Sequence, residues 1–228
     1  VMLWPDFEVI SMNSLLLRIS APIFMSALLL TATSAHAQYD TLFLDLAQGE
    51  EMTQLRLGMG ETPPGSEGEK VTSMFYLSYF ESDDIVKVNK ANLGEQKTEI
   101  LALGAGGFGY LENPKLNGGA EFDFELSQTR IDSLDNYKRT GIGFRTQLFI
   151  PIAAGLQSNI GFNIRPFFLS SDWDDQAQLE YEYQAGLEYA FTWDVAVYAH
   201  YRYVALIAKN DDDVKLAEGS ILGIRARF

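Results

Sequence analysis

The 228-residue chain contains no cysteine. Disulfides, zinc–thiolate centres, a cysteine nucleophile and the acylated cysteine of a bacterial lipoprotein are thereby excluded. Histidine is scarce too: two residues in the whole chain leave no material for a His-rich metal site. Positive charge is in deficit, with 17 Lys and Arg against 31 Asp and Glu and a formal net charge of −14. Nucleic-acid binders need a basic face for phosphates, so that class is set aside. Mean hydropathy is near zero, which excludes a bundle of membrane helices. It leaves a membrane β-barrel open, because half of each barrel strand is polar. What the chain holds in quantity is aromatic side chains, 13% of residues, together with 19 glycines. That composition leans towards β-structure.

The first residues read as an address. Met12-Asn-Ser-Leu-Leu-Leu-Arg18 is short and basic, and Ile23 to Leu30 form an apolar core broken by Ser26. Ser34-Ala35-His36-Ala37 supplies the small-x-small pattern of signal-peptidase cleavage. A mature start at Gln38 is expected. Residues 1–11 carry Asp6 and Glu8 and no basic residue, and are read as lying upstream of a start at Met12. The apolar run is shorter than the roughly 20 residues a membrane helix needs. Residues 1–37 are therefore expected to be an upstream extension plus a cleaved signal, and 38–228 a single domain. Loss of Arg18, Asp6 and Glu8 leaves 16 basic and 29 acidic residues there, with His200 the one histidine.

Period-two alternation dominates the rest. Leu179, Tyr181, Tyr183, Ala185, Leu187, Tyr189 and Phe191 share one face, opposite Glu180, Glu182, Gln184, Gly186 and Glu188. Residues 156–168 repeat the pattern, as do Val195, Val197, Ala199, Tyr201, Tyr203, Ala205 and Ile207 against Tyr198, His200 and Arg202. Runs of this length suit tilted membrane strands better than ordinary soluble ones. Strands are expected near 40–47, 52–60, 71–80, 98–110, 117–128, 139–151, 155–168, 178–191, 194–207 and 216–228. The fold expected is thus an all-β, antiparallel, up-and-down transmembrane β-barrel of ten strands, with eight as the alternative. Short connections (Ala153-Ala154-Gly155, Thr192-Trp193-Asp194) alternate with acidic ones at 81–96, 129–138, 170–176 and 210–214, as in outer-membrane barrels. Thr62 to Glu69 is long where a short turn is expected, and Gln48-Gly49-Glu50 is short where a loop is expected.

Any half-buried sheet alternates, so the position of the cations has to distinguish membrane from water. All eight lysines (Lys70, Lys87, Lys90, Lys97, Lys115, Lys138, Lys209, Lys215) fall in turns, loops or strand ends. Arg56, Arg139, Arg145, Arg165, Arg202, Arg225 and Arg227 fall instead on polar strand faces. An enclosed face favours arginine, whose planar fork pairs with carboxylates. Seven carboxylates share those faces: Asp45, Glu121, Asp123, Glu125, Glu180, Glu182 and Glu188. Unpaired charges in an enclosed space are costly, so this balanced set reads as a salt-bridged lumen that also holds His200. Gly141, Gly143, Gly161, Gly186, Gly219 and Gly223 leave room for the long side chains. The opposite face is apolar, as hydrocarbon contact demands. Trp193, Tyr189 and Phe191 at one rim, and Phe168 and Trp173 at the other, read as interfacial girdles. Leu222, Ile224 and Phe228 on one face of the last strand match the signal read by barrel-insertion machinery.

Two segments carry a resemblance to a family. Gln48-Gly-Glu-Glu-Met-Thr-Gln-Leu-Arg-Leu-Gly-Met-Gly60 is one. The other runs through Tyr201-Arg-Tyr and Lys209-Asn-Asp-Asp-Asp to Leu216-Ala-Glu-Gly-Ser-Ile-Leu-Gly-Ile-Arg-Ala-Arg-Phe228. Together, about a fifth of the chain, they resemble the YfaZ-type outer-membrane proteins. The resemblance implies a small outer-membrane barrel with a poorly defined biochemical role and supplies no catalytic residues.

Catalytic and metal chemistry find little material. His200 lies mid-strand with no serine at a neighbouring same-face position, so a lumen histidine is expected rather than a base, and no cofactor is expected. Asp172, Asp174 and Asp175, with Asp211, Asp212 and Asp213, are candidates for Ca²⁺ or for cation bridges to lipopolysaccharide phosphates, without a calcium-loop spacing. The expectation is a monomeric barrel in the outer membrane of a Gram-negative cell, contacting lipid and lipopolysaccharide and inserted by the barrel-assembly machinery. Three functions stay open: a structural or surface-interaction protein, a narrow passive pore, and a lipid- or peptide-modifying enzyme.

Overall fold

The computed structural model describes residues 41–61, 71–88, 91–110, 118–131, 138–171, 177–191, 195–208 and 213–227. In chain order the strands are β1 (Thr41–Gly49), β2 (Met52–Glu61), β3 (Val71–Ser82), β4 (Ile85–Val88), β5 (Ala91–Glu95), β6 (Thr98–Tyr110) and β7 (Gly119–Ile131). They continue as β8 (Lys138–Ala153), β9 (Leu156–Pro166), β10 (Ser170–Ser171), β11 (Ala177–Ala190), β12 (Val195–Ala208) and β13 (Asp213–Arg227). Among the described residues no helix is long and apolar enough to cross a membrane.

Ten of these strands pair antiparallel in the order β1-β2-β3-β6-β7-β8-β9-β11-β12-β13, and β13 returns to β1. The closing register sets Asp45 opposite Arg225 and Leu46 opposite Ile224. The barrel is closed, which removes the sheet edges that would otherwise need covering. Ten strands, not eight, is the count. An even number puts Thr41 and Arg227 at one end, called here the terminal end; the other is the loop end.

The strands exist because the alternation holds on nearly every one. In β7 buried and exposed positions alternate without a break from Ala120 to Leu126. The exposed positions are the large apolar ones: Phe122, Phe124 and Leu126 there, Leu101 and Leu103 on β6, Ile160 and Phe162 on β9, Leu187 on β11. The β8–β9 connection is a tight turn in which Gly155 takes φ +76°, a left-handed conformation that a side chain with Cβ adopts at a cost.

Four departures from the expected strands have local causes. The 81–96 segment is not a loop but a hairpin, β4–β5, whose first strand pairs with β13 through Val214↔Val88 and Lys215↔Lys87. The β1–β2 turn is so short that β13 extends past the end of β1, leaving an edge that the hairpin takes up. Strand β7 runs on to Ile131, so Thr129 to Ile131 belongs to sheet rather than to a connection. Strand β9 stops at Pro166, which has no N–H to donate; a single 3₁₀ turn, Phe167–Leu169, follows, and β10 resumes pairing with β8. Finally, Ala205 does not face outward in the open, for the register slips between Val204 and Ala205 and both are buried. Residues 1–37 and their expected signal, Phe228, Trp173, Trp193 and the loop aspartates 172, 174, 175, 211 and 212 lie outside the described residues.

Candidate functional site

The charged residues of the sequence reading converge inside the barrel. Asp123, Arg139 and Glu180 are 0% exposed, and Asp45, Arg56, Glu121, Glu125, Arg165, Glu182, Glu188, His200, Arg202 and Arg225 are also buried. Every one of the seven carboxylates has an arginine partner, and the pairs form three linked groups.

The first group centres on Arg165. Its Nη1 lies 2.8 Å from Glu180, and its Nη2 reaches Glu125 at 3.4 Å and Glu182 at 3.5 Å. Glu180 also takes Arg139 at 3.2 Å and a hydrogen bond from Thr129 at 2.9 Å. Glu182 takes Arg202 at 2.8 Å, and Arg202 donates onward to Gln54 and stacks over the Phe80 ring at 3.9 Å. The second group centres on Arg56, which pairs with Glu121 at 2.5 Å and Asp123 at 3.2 Å and lies over the Tyr76 ring at 3.8 Å. The Tyr76 hydroxyl stands 2.8 Å from Glu125 and 3.0 Å from Asp123, so two carboxylates share its one proton. The third group is Arg225, held between Asp45 at 3.1 Å and Glu188 at 2.8 Å. Tyr198 donates its hydroxyl to Asp45.

Neighbouring-strand pairing accounts for part of this. Arg225 with Asp45, Arg165 with Glu180, and Arg202 with Glu182 link adjacent strands. Others cross the bore: Arg56 on β2 reaches β7, and Arg202 on β12 reaches Gln54 on β2. Such cross-bore contacts are invisible to a strand-by-strand reading, since they depend on the barrel's diameter and stagger. Arg145 faces Asp123 in register, yet its nearest carboxylate is Glu125 at 3.9 Å, which makes it the loosest member. Arg227 lies with its guanidinium over Phe108 at 4.4 Å. His200 stacks on Tyr198 with ring centroids 4.2 Å apart, in the space that Gly186 leaves by lacking a Cβ.

The bore also holds apolar clusters beside its charges. Towards the loop end apolar side chains take up part of the bore: Phe80, Ile100, Ile131, Leu206, Val214 and Leu216 join one buried cluster with Val86 of the β4–β5 hairpin. Towards the terminal end Phe43, Met74 and Tyr76 form a second cluster, and Phe108 meets Phe149 at 5.2 Å. Ion pairs and apolar clusters share both ends of the bore: Glu180 stands opposite Leu206, and Arg227 opposite Phe43. The signal was present in the sequence: on β12 the inward series turns from Arg202 to Val204 and Leu206.

At the rims, Phe168 is 71% exposed at the loop end, and Tyr189 and Phe191 are exposed at the terminal end. Leu222 and Ile224 point outward, 68% and 54% exposed. Of the metal candidates, Asp213 accepts hydrogen bonds from Tyr181 and Tyr203, each at 3.4 Å. Among the described residues no group of three potential metal ligands comes together.

No family model and no curated protein matches the chain. Among solved structures it is similar to the translocator domain of autotransporter NalP from Neisseria meningitidis, at 11% identity over 92% of this chain and 98% of that one, TM-score 0.31. It is also similar to the NanC porin, at 13% identity over 82% and 98%, TM-score 0.36. The beta domain of the Bordetella autotransporter Brka gives 14% identity over 82% and 96%, TM-score 0.35. Likenesses this distant say nothing about role.

Proposed function

We propose that this chain is an outer-membrane β-barrel with a closed bore, serving as a structural or surface-interaction protein of a Gram-negative cell envelope. One observation carries the reading: large apolar side chains occupy the outer face while arginines and carboxylates pair inside, the reverse of a water-soluble barrel. A soluble protein rarely exposes an apolar area of this extent, whereas hydrocarbon requires it. The cross-bore ion pairs and the apolar cluster at the loop end favour a bore that does not conduct. In this reading the barrel is a monomer, exported and inserted by the barrel-assembly machinery, and His200 packs the lumen instead of acting as a base. Membership of the YfaZ-type outer-membrane proteins is part of the same proposal.

A narrow passive pore is the second reading, and the loose seat of Arg145 favours it. Planar-bilayer recording on refolded protein separates the two. The closed barrel gives no steps for wild type; a pore gives steps that grow in Arg145→Ala or Glu182→Ala. A gel band that does not shift on boiling would contradict the barrel in either form.

A further inference from the structure

At the loop end, the outward face of β7 and β8 changes character in three steps. Leu126 stands opposite Ile142, then Gln128 opposite Thr140, then Arg130 opposite Lys138. The first pair is apolar and exposed. The second is neutral and joined by a hydrogen bond from Gln128 Nε2 to Thr140 Oγ1 at 3.1 Å. The third is two exposed cations. Opposed residues on paired strands have Cβ atoms only about 5 Å apart, and like charges there repel.

Glu99, opposite Arg130, relieves only part of the repulsion. Glu99 is the cross-strand neighbour of Arg130, and Glu81 is the neighbour of Glu99. Both are held by Lys97, at 2.9 Å and 3.4 Å, and Glu99 also accepts from Tyr79 at 3.2 Å. Partial burial works to lower the Lys97 pKa, but the hydrogen bond to Glu99 and the charge of Glu81 outweigh it and raise the value, so this cation stays charged. Neither Arg130 nor Lys138 makes an ion pair with any described residue. Two adjacent exposed cations thus stand at the border of the apolar band. On the other side of β8, the 3₁₀ turn pushes Phe167 and Phe168 outward, 47% and 71% exposed.

We propose that Arg130 and Lys138 form a binding site for the phosphate of a lipid headgroup in the leaflet at the loop end, with Phe167 and Phe168 beside them against the acyl chains. The site rests on the membrane reading above. A lipid is favoured over free phosphate because the cations cap an apolar strip, Leu126 and Ile142, which acyl chains would cover and an inorganic ion would leave exposed.

The test uses the full chain refolded into phosphatidylcholine vesicles containing diphosphoryl lipid A or its dephosphorylated counterpart. Native mass spectrometry then measures the lipid retained. Wild type retains the diphosphoryl lipid in preference, by about thirtyfold if each basic side chain acts as at an anionic membrane surface. Arg130→Gln/Lys138→Gln loses that preference to within about twofold, each single variant loses part of it, and Arg130→Lys/Lys138→Arg restores it. Equal retention by wild type of the two lipids, or an undiminished preference in the double Gln variant, would overturn the site. Full displacement of the lipid by millimolar inorganic phosphate would overturn its assignment to lipid. Failure of wild type to enter the vesicles or to shift on boiled gels would instead remove the membrane reading on which the site depends.

Discussion

At the scale of single residues, the inward charges act as a set whose members depend on one another. Arg165 touches three carboxylates, so its removal leaves acids in an enclosed space without their main counter-charge. Breaking a buried pair on one side costs about 3–5 kcal/mol. Arg165→Met is therefore expected to lower the unfolding free energy by about that amount in urea titrations of the refolded barrel. Arg145→Met is expected to cost less than half as much, because its closest carboxylate is 3.9 Å away. Equal losses in the two variants would show that net lumen charge, not specific pairing, sets stability. This inventory was legible in the sequence, since arginine on a polar strand face and lysine at strand ends is a pattern along the chain. The partners were only partly legible. Asp45 with Arg225 follows from adjacent strands, whereas Arg56 with Asp123 needs the curvature of the closed sheet. Arg130 escaped because β7 continues three residues into what reads as a loop, and only the extended strand shows which way its side chain faces.

At the scale of elements, the β4–β5 hairpin is the part that departs furthest from the pattern. Its strands have 4 and 5 residues, too few for an alternation to announce itself among Asp83, Asp84, Lys87 and Lys90. Tertiary contacts hold it. Asp84 accepts a hydrogen bond from the Glu218 backbone N–H at 2.7 Å and pairs with Lys215 at 2.9 Å, and Val86 is fully buried in the apolar cluster. Burying a valine side chain is worth roughly 1.5–3 kcal/mol, so losing the Asp84 anchor should loosen the hairpin without unfolding the barrel. Asp84→Ala is expected to speed trypsin cleavage after Lys87 at least about tenfold over wild type, for an opening free energy reduced by one charged hydrogen bond. The heat-shifted gel band should persist. Loss of the band together with cleavage would mean that the hairpin is part of the barrel's cooperative unit. If the hairpin also seals the bore, the same variant is expected to admit ion conductance that wild type lacks.

At the scale of the whole molecule, an inverted barrel imposes one rule on every strand: what faces out must suit hydrocarbon, and what faces in must pair. The closed topology and the ten-strand count follow from alternation and register, and the sequence carried both. The apolar clusters inside the bore were less legible. They emerge only when inward positions are followed along the axis, as from Arg202 to Leu206 on β12. The rule has a direct energetic consequence. Leu103, 58% exposed near the middle of β6, should not tolerate a cation: Leu103→Arg is expected to cost about 2–4 kcal/mol in a bilayer, the value for arginine at the midplane of a lipid-facing strand. In a water-soluble barrel the same exposed site would accept arginine almost freely. The chain's lack of cysteine allows a more direct measurement, in which single cysteines at Leu103, Phe124, Phe162 and Leu187 carry nitroxide labels in lipid vesicles. Membrane-dissolved oxygen should relax all four labels strongly and an aqueous nickel chelate hardly at all. Collisions dominated by the nickel chelate at these positions, or none with either reagent, would contradict a lipid-facing outer surface.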